Sequence, residues 1–130
     1  MARPRSESPT PAELEILQII WERGPCTVGE AMELLDHDPP RAYTSVMSLM
    51  SVMSDKGLLE RTPRGRAFVY AAKAPRDRTL KRMVGDLLER AFNGSASALV
   101  TNLLDGANPS DEELDEIRDI IATRAKPKRN

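Results

Sequence analysis

Three short amphipathic segments, each fenced by helix-start and helix-stop residues, precede a single hairpin pattern, and that order constrains the fold more than any other feature of the chain. Thr10-Pro11-Ala12-Glu13 opens the first: a capping threonine, a proline where a missing N–H is harmless, and a glutamate placed to reach back to the cap. Leu14, Leu17 and Trp21, with Ile16 and Ile20 beside them, supply a broad apolar face, and Gly24-Pro25 ends the segment. Thr27-Val28-Gly29-Glu30 repeats the start signal, with Val28, Ala31, Met32 and Leu35 at helical spacing before a break at His37-Asp38-Pro39-Pro40. The third helix is expected from Ala42 to Lys56, closed by Gly57, with Val46, Leu49, Met50 and Met53 facing inward. Leu58-Leu59-Glu60-Arg61-Thr62 and Ala67-Phe68-Val69-Tyr70-Ala71 then read as two short strands around a turn at Pro63-Arg64-Gly65-Arg66.

Three short helices and then a hairpin is the order of a winged helix-turn-helix. After Pro75 the character changes: Leu80, Met83, Val84, Leu87, Leu88, Ala91 and Phe92 form a sustained stripe on one long helix that Asn93-Gly94 stops. Leu99, Val100, Leu103 and Leu104 mark a shorter helix, broken across residues 106–109. Ser110-Asp111-Glu112-Glu113 is a third capping box and leads to Leu114, Ile117, Ile120 and Ile121. A segment of roughly 50 residues is marginal by itself, and a second copy of the chain, most often two-fold related, is the natural partner surface.

The fold class expected is therefore mostly α with a small β-hairpin: a winged helix-turn-helix domain plus a C-terminal helical dimerisation region. Residues 1–9 are expected to be a disordered arm, 10–73 the winged-helix domain, 74–123 the dimerisation region, and 124–130 a disordered charged tail. The dimer contact is expected on Leu80, Met83, Val84, Leu87, Leu88, Leu99, Leu103, Leu114 and Ile117.

Net charge is −1 over 130 residues, but its distribution is uneven. Residues 1–83 carry 13 Lys and Arg against 11 Asp and Glu, and residues 84–130 carry 6 against 9. Across residues 61–82 there are eight basic side chains and one acid, Asp77. Such a concentration is the footprint that phosphate binding requires, because each neutralised phosphate releases condensed counterions. Arg64 and Arg66 flank Gly65 at the hairpin tip, and with Arg61 they form a wing suited to phosphates or the minor groove.

On a helical wheel the outer side of the third helix carries Thr44, Met47, Ser48, Ser51 and Asp55. A merely solvated face normally carries Lys and Glu, which support a helix better than Ser. Small hydroxyls instead let the backbone lie close to base edges, and Met47 is suited to a thymine methyl. Arg41, at the entrance to this helix, is placed to reach a phosphate or a guanine. The partner expected is double-stranded DNA, through Arg41, Thr44, Met47, Ser48, Ser51, Arg61, Arg64 and Arg66. The rival reading is a winged-helix module for protein–protein interaction without DNA binding, which the basic wing argues against.

No catalytic constellation can be assembled, so no enzyme activity, cofactor or metal is expected. His37 is the one histidine and lies in a proline-rich loop. Cys26 precedes the second helix, where a helix N-terminus favours a thiolate, so a redox role competes with the favoured reading as a small buried residue. The acids of residues 111–119 read as a solvated helix face. One cysteine forms no internal disulfide, no apolar run approaches the ~18 residues of a membrane span, and residues 1–6 lack the apolar segment of a secretory signal. A cytoplasmic location is expected.

Thr10-Pro11-Ala12-Glu13-Leu14-Glu15-Ile16-Leu17, Trp21-Glu22-Arg23-Gly24-Pro25-Cys26-Thr27-Val28, Ala42-Tyr43-Thr44-Ser45-Val46, Lys56-Gly57-Leu58 and Gly65-Arg66-Ala67-Phe68-Val69-Tyr70, in that order, resemble the penicillinase-repressor family, the BlaI/MecI/CopY group. The resemblance runs from about residue 9 to 123. It implies a homodimeric winged-helix repressor on a palindromic operator. In antibiotic-responsive members it further implies induction by proteolysis in the dimerisation region, signalled by a membrane sensor metalloprotease. That family's cleavage position is an Asn-Phe bond, and Ala98-Leu99-Val100-Thr101-Asn102-Leu103 matches the segment, with Leu103 in place of Phe after Asn102. The cysteine-rich C-terminus of the copper-responsive branch has no counterpart here.

Overall fold

The computed structural model of the protein describes residues 8–125. Six helices and two strands follow in the order α1 (Pro11–Arg23), α2 (Val28–Leu34), α3 (Tyr43–Asp55), β1 (Leu59–Arg64), β2 (Ala67–Ala72), α4 (Arg76–Phe92), α5 (Ala96–Ala107) and α6 (Asp111–Arg124). Three helices followed by an antiparallel hairpin is the winged helix-turn-helix expected from the sequence. The described residues divide into two compact units, one up to Asp86 and one from Leu87, so the division falls inside α4, downstream of the change in character at Pro75.

The first two helix starts are closed in both directions. Glu13 N–H donates to Thr10 Oγ1 at 3.2 Å while Thr10 N–H donates to Glu13 Oε1 at 3.0 Å, and Thr27 and Glu30 repeat the exchange at 3.2 and 2.9 Å. A cap of this kind stabilises its helix by about 1 kcal/mol. At α6 the expected capping box is only half formed: Ser110 Oγ accepts from Glu113 N–H at 3.1 Å, but no return bond from the Glu113 side chain accompanies it.

The core of the first unit is built from Ile16, Leu17 and Ile20 of α1, Val28 and Ala31 of α2, Leu35 at its cap, and Val46, Met50 and Met53 of α3, with Leu59 and Tyr70 from the hairpin. With so few aromatics, the two methionines fill space that rings would otherwise occupy. Leu14 and Trp21 are only partly buried, and Leu49 and Met32 pack at the edge. Cys26 is buried and pairs with Tyr70 across an antiparallel bridge, Cys26 N–H to Tyr70 O at 3.0 Å and the reverse at 2.8 Å, which fastens the α1–α2 connection to β2.

The hairpin departs from the expected turn. Pro63 and Arg64 belong to β1, and only Gly65 and Arg66 form the loop, closed by the Arg64–Ala67 pair. Gly65 has φ +62° and Arg66 does not share a positive φ, the II′ pattern in which the first loop position favours glycine. Pro63 fits because it faces Phe68 one step from the closing pair, at a site where the N–H would point away from the partner strand. At the other boundaries, α3 begins one residue later and ends one residue earlier than expected, with Lys56 as its cap. Helix α5 continues through Gly106 and stops at Asn108, whose left-handed φ of 49° marks the true break.

In the second unit no side chain of α5 or α6 is buried. Helix α4 ends with Asn93 and Gly94 at positive φ, Gly94 N–H bonding Leu88 O at 2.9 Å. Arg124, expected in the tail, is the last residue of α6; the rest of the expected tail beyond Ala125, and residues 1–7 of the expected arm, lie outside the described residues. Pro9, assigned to that arm, is buried. Among the described residues, no helix is long and apolar enough to cross a membrane.

Candidate nucleic-acid interface

Burial of Val46, Met50 and Met53 fixes the rotation of α3, and the opposite side follows. Thr44, Ser48 and Asp55 are exposed there, Met47 is 42% exposed, and Ser51 is half-buried. Tyr43 and Val52, which were not among the expected contacts, are exposed by 52% and 48%. The same wheel contained the signal for them: once the inward residues are set, positions 43 and 47 fall on one flank of the hydroxyl strip and position 52 on the other.

Arg61 connects this helix to the hairpin. Its Nη1 lies 3.5 Å from Ser51 Oγ, and its guanidinium carbon sits 4.6 Å from the centre of the Phe68 ring on β2. Phe68 in turn meets Tyr70 edge-on, with ring centres 6.4 Å apart. The aromatic face holds a cation that remains exposed. Arg64 and Arg66 lie at the tip, both exposed, and among the described residues no carboxylate forms an ion pair with Arg61, Arg64 or Arg66. Ser51, Arg61, Arg64 and Arg66 thus lie on α3 and the hairpin that follows it.

Arg41 is placed differently. Its Nη2 bonds Glu15 Oε1 of α1 at 2.7 Å with the guanidinium partly buried, so this cation is already engaged within the fold. A second long-range pair joins Lys56 Nζ to Glu13, at 2.8 and 3.0 Å from its two oxygens. Burial opposes ionisation of Glu13, but Lys56 and the Thr10 N–H outweigh it and hold the carboxyl below its ordinary range. Burial pushes the Cys26 thiol up, with Arg23 opposing and Glu30 adding, which favours the inert thiol over the thiolate.

On the helices after the hairpin, Val84, Leu87 and Leu103 of the expected contact set are about half exposed, and Leu80, Met83, Leu88, Leu99, Leu114 and Ile117 are partly buried. Val100, Ile120 and Ile121 are exposed large apolar side chains in addition. Asn102 and Leu103 are both exposed in the middle of α5.

Residues 9–123 match the family model described as penicillinase repressor. The chain is 26% identical to the penicillinase repressor of Bacillus licheniformis over 110 residues, covering 85% of this chain and 86% of that protein. It is 20% identical to the methicillin resistance regulatory protein MecI of Staphylococcus aureus (strain N315), covering 85% and 89%. Among solved structures, it is similar to the transcriptional regulator Tm0710 of Thermotoga maritima, at 23% identity and a TM-score of 0.47, covering 89% of this chain and 80% of that one. With nearly its whole length matched, the chain belongs to the penicillinase repressor family.

Proposed function

We propose that this protein is a repressor that holds a palindromic operator in double-stranded DNA as a homodimer, with α3 in the major groove and the hairpin on the phosphates. The observation that carries this reading is the contact of Arg61 with Ser51 and Phe68, which ties an exposed cation on the wing to the hydroxyl strip of α3. Thr44, Met47, Ser48 and Ser51 serve base edges, while Arg61, Arg64 and Arg66 serve the backbone. Arg41 joins them by exchanging Glu15 for a phosphate, or stays where it is and positions α3.

The dimer rests on the exposed apolar residues of α4, α5 and α6, which leave the second unit without a core of its own. In this reading the protein acts in the cytoplasm, and cleavage between Asn102 and Leu103, triggered by a membrane sensor metalloprotease, splits the dimer and lifts repression. Exposure of both residues in a helix with no buried side chain supports that step, because opening such a helix locally costs little.

The test is the salt dependence of duplex binding by the full chain and by an Arg64→Ala, Arg66→Ala double variant. Loss of two phosphate contacts should weaken binding to every sequence and flatten the slope of log affinity against log salt by up to about two units. An unchanged slope removes the wing from the interface, and no DNA binding at all leaves the protein-interaction module as the reading.

A further inference from the structure

We infer that α3 selects its half-site by thymine methyl groups on both strands, through Tyr43 and Met47 on one flank and Val52 on the other. This rests on the DNA-binding reading above and adds the chemistry of the sequence recognised. Helix α3, YTSVMSLMSVMSD, contains no Arg, Lys, Asn or Gln. The bidentate pairings that read guanine and adenine are therefore unavailable from the helix itself. What its outer side does offer is a strip of short hydroxyls, Thr44, Ser48 and Ser51, that ends at the exposed carboxylate of Asp55 and is framed by three large apolar side chains exposed to solvent.

One exposed apolar side chain is ordinary, but three bordering one polar strip on the second helix of the helix-turn-helix are not accounted for by packing. An α-helix about 10 Å across nearly fills a major groove about 12 Å wide, so its central strip faces the floor and its flanks face the two walls. Thymine projects its C5 methyl along those walls, and it is the one apolar group that the four bases display in the groove. Tyr43 and Met47 then meet a methyl on one strand and Val52 meets one on the other, while the hydroxyls adapt to the floor between them. Arg61 at Ser51 closes the end of the strip and holds the helix to the backbone.

Deoxyuridine tests this directly, since it differs from thymidine by the methyl alone. The full chain is used to select duplexes from a randomised pool, and the selected duplex is remade with deoxyuridine at each thymine in turn. Affinity should fall roughly fourfold per critical methyl, at one thymine on each strand of each half-site, with other thymines silent. Val52→Ala should abolish the sensitivity at one of these positions and leave the other; Met47→Ala, or Tyr43→Ser, should do the reverse. All three side chains are exposed, so the variants should keep the thermal transition of the parent. A selected duplex bound equally well with every thymine replaced would overturn this inference while leaving DNA binding intact. Recovery of no preferred duplex would overturn the DNA-binding reading with it.

Discussion

The winged-helix unit and the helices that follow it solve the problem of apolar surface in opposite ways. In the first, faces of α1, α2 and α3 converge with Leu59 and Tyr70, and side chains such as Ile16, Met50 and Met53 are completely shielded from solvent. Each such burial stabilises the fold by about 1.5–3 kcal/mol. In the second, α5 and α6 shield none, and Leu103, Ile120 and Ile121 stand more than half exposed. Capping follows the division only at α1 and α2: Thr10 and Thr27 exchange two bonds with their glutamates, Ala42 gives α3 no side-chain cap, and Ser95 and Ser110 accept one backbone N–H each. A region with a closed core holds its shape alone. A region of well-formed amphipathic helices with no core has little to hold it alone, which is why the proposed dimer is placed there.

The widest separation between the two should appear on DNA. A fragment of residues 1–86 retains the whole core and the Trp21 indole bond to Ala74 O at 3.1 Å. It should fold, sediment as a monomer and bind single half-sites without cooperativity. Against the full chain it should lose roughly 10²–10⁴ in affinity for a two-half-site duplex, the avidity of a linked pair. A monomeric fragment with full affinity would mean that the C-terminal helices contribute nothing to binding; a dimeric one would place the partner surface in the first unit.

Single truncations should divide the same way on a smaller scale. Met50→Ala removes a side chain with no solvent exposure, and should lower the unfolding free energy of the winged-helix unit by about 2–5 kcal/mol. Leu103→Ala removes one that is 53% exposed, and should leave that transition where it is while raising the dissociation constant of the proposed dimer. Denaturant titration of residues 1–86 and sedimentation of the full chain read the two effects separately. Equal sensitivity of both transitions to both variants would show that the regions fold as one.

What the sequence disclosed of this division was local, and what it withheld was long-range. The boxes at Thr10 and Thr27 were legible because both partners lie within one turn, and the stripe of α3 was legible because three of its members face one core. Pro63 and Gly106 misled for the same local reason: both are breaker residues that the surrounding pairing or helix accommodates, so β1 and α5 run past them. The ties from Arg41 to Glu15 and from Lys56 to Glu13 cross 26 and 43 residues, and nothing in the spacing of the chain announces them. The bridge between Cys26 and Tyr70 is of the same kind; an unremarkable Gly-Pro-Cys turn becomes a strand partner only once the hairpin lies beside it. On the candidate site, the hydroxyl strip is visible in the wheel, whereas the exposure of Tyr43 and Val52 on its flanks follows only once burial of Val46, Met50 and Met53 sets the rotation of α3.

Glu13 yields the smallest effect and the one most specific to the first unit. Its carboxylate is buried, accepts the Thr10 N–H, and takes Lys56 Nζ on both oxygens. Burial works against the charge, yet Lys56 and Thr10 prevail, so the folded pKa lies below the ordinary value of 4.5. A carboxyl whose pKa is lower folded than unfolded binds more protons when unfolded, so its contribution is complete above the unfolded pKa and disappears as pH falls through the folded one. Stability of residues 1–86 should therefore decline as the solution is taken from above pH 4.5 downward. Glu13→Gln keeps an oxygen for the Thr10 N–H and so preserves the cap, but removes the charge that faces Lys56. Lys56 is 40% exposed and stays hydrated, which confines the cost near neutral pH to about 1 kcal/mol. The parent and Glu13→Gln curves should thus be separated at neutral pH and converge in acid. Curves that coincide at every pH would show that Glu13 stabilises the unit as a helix cap alone, and that its pairing with Lys56 adds no net stability.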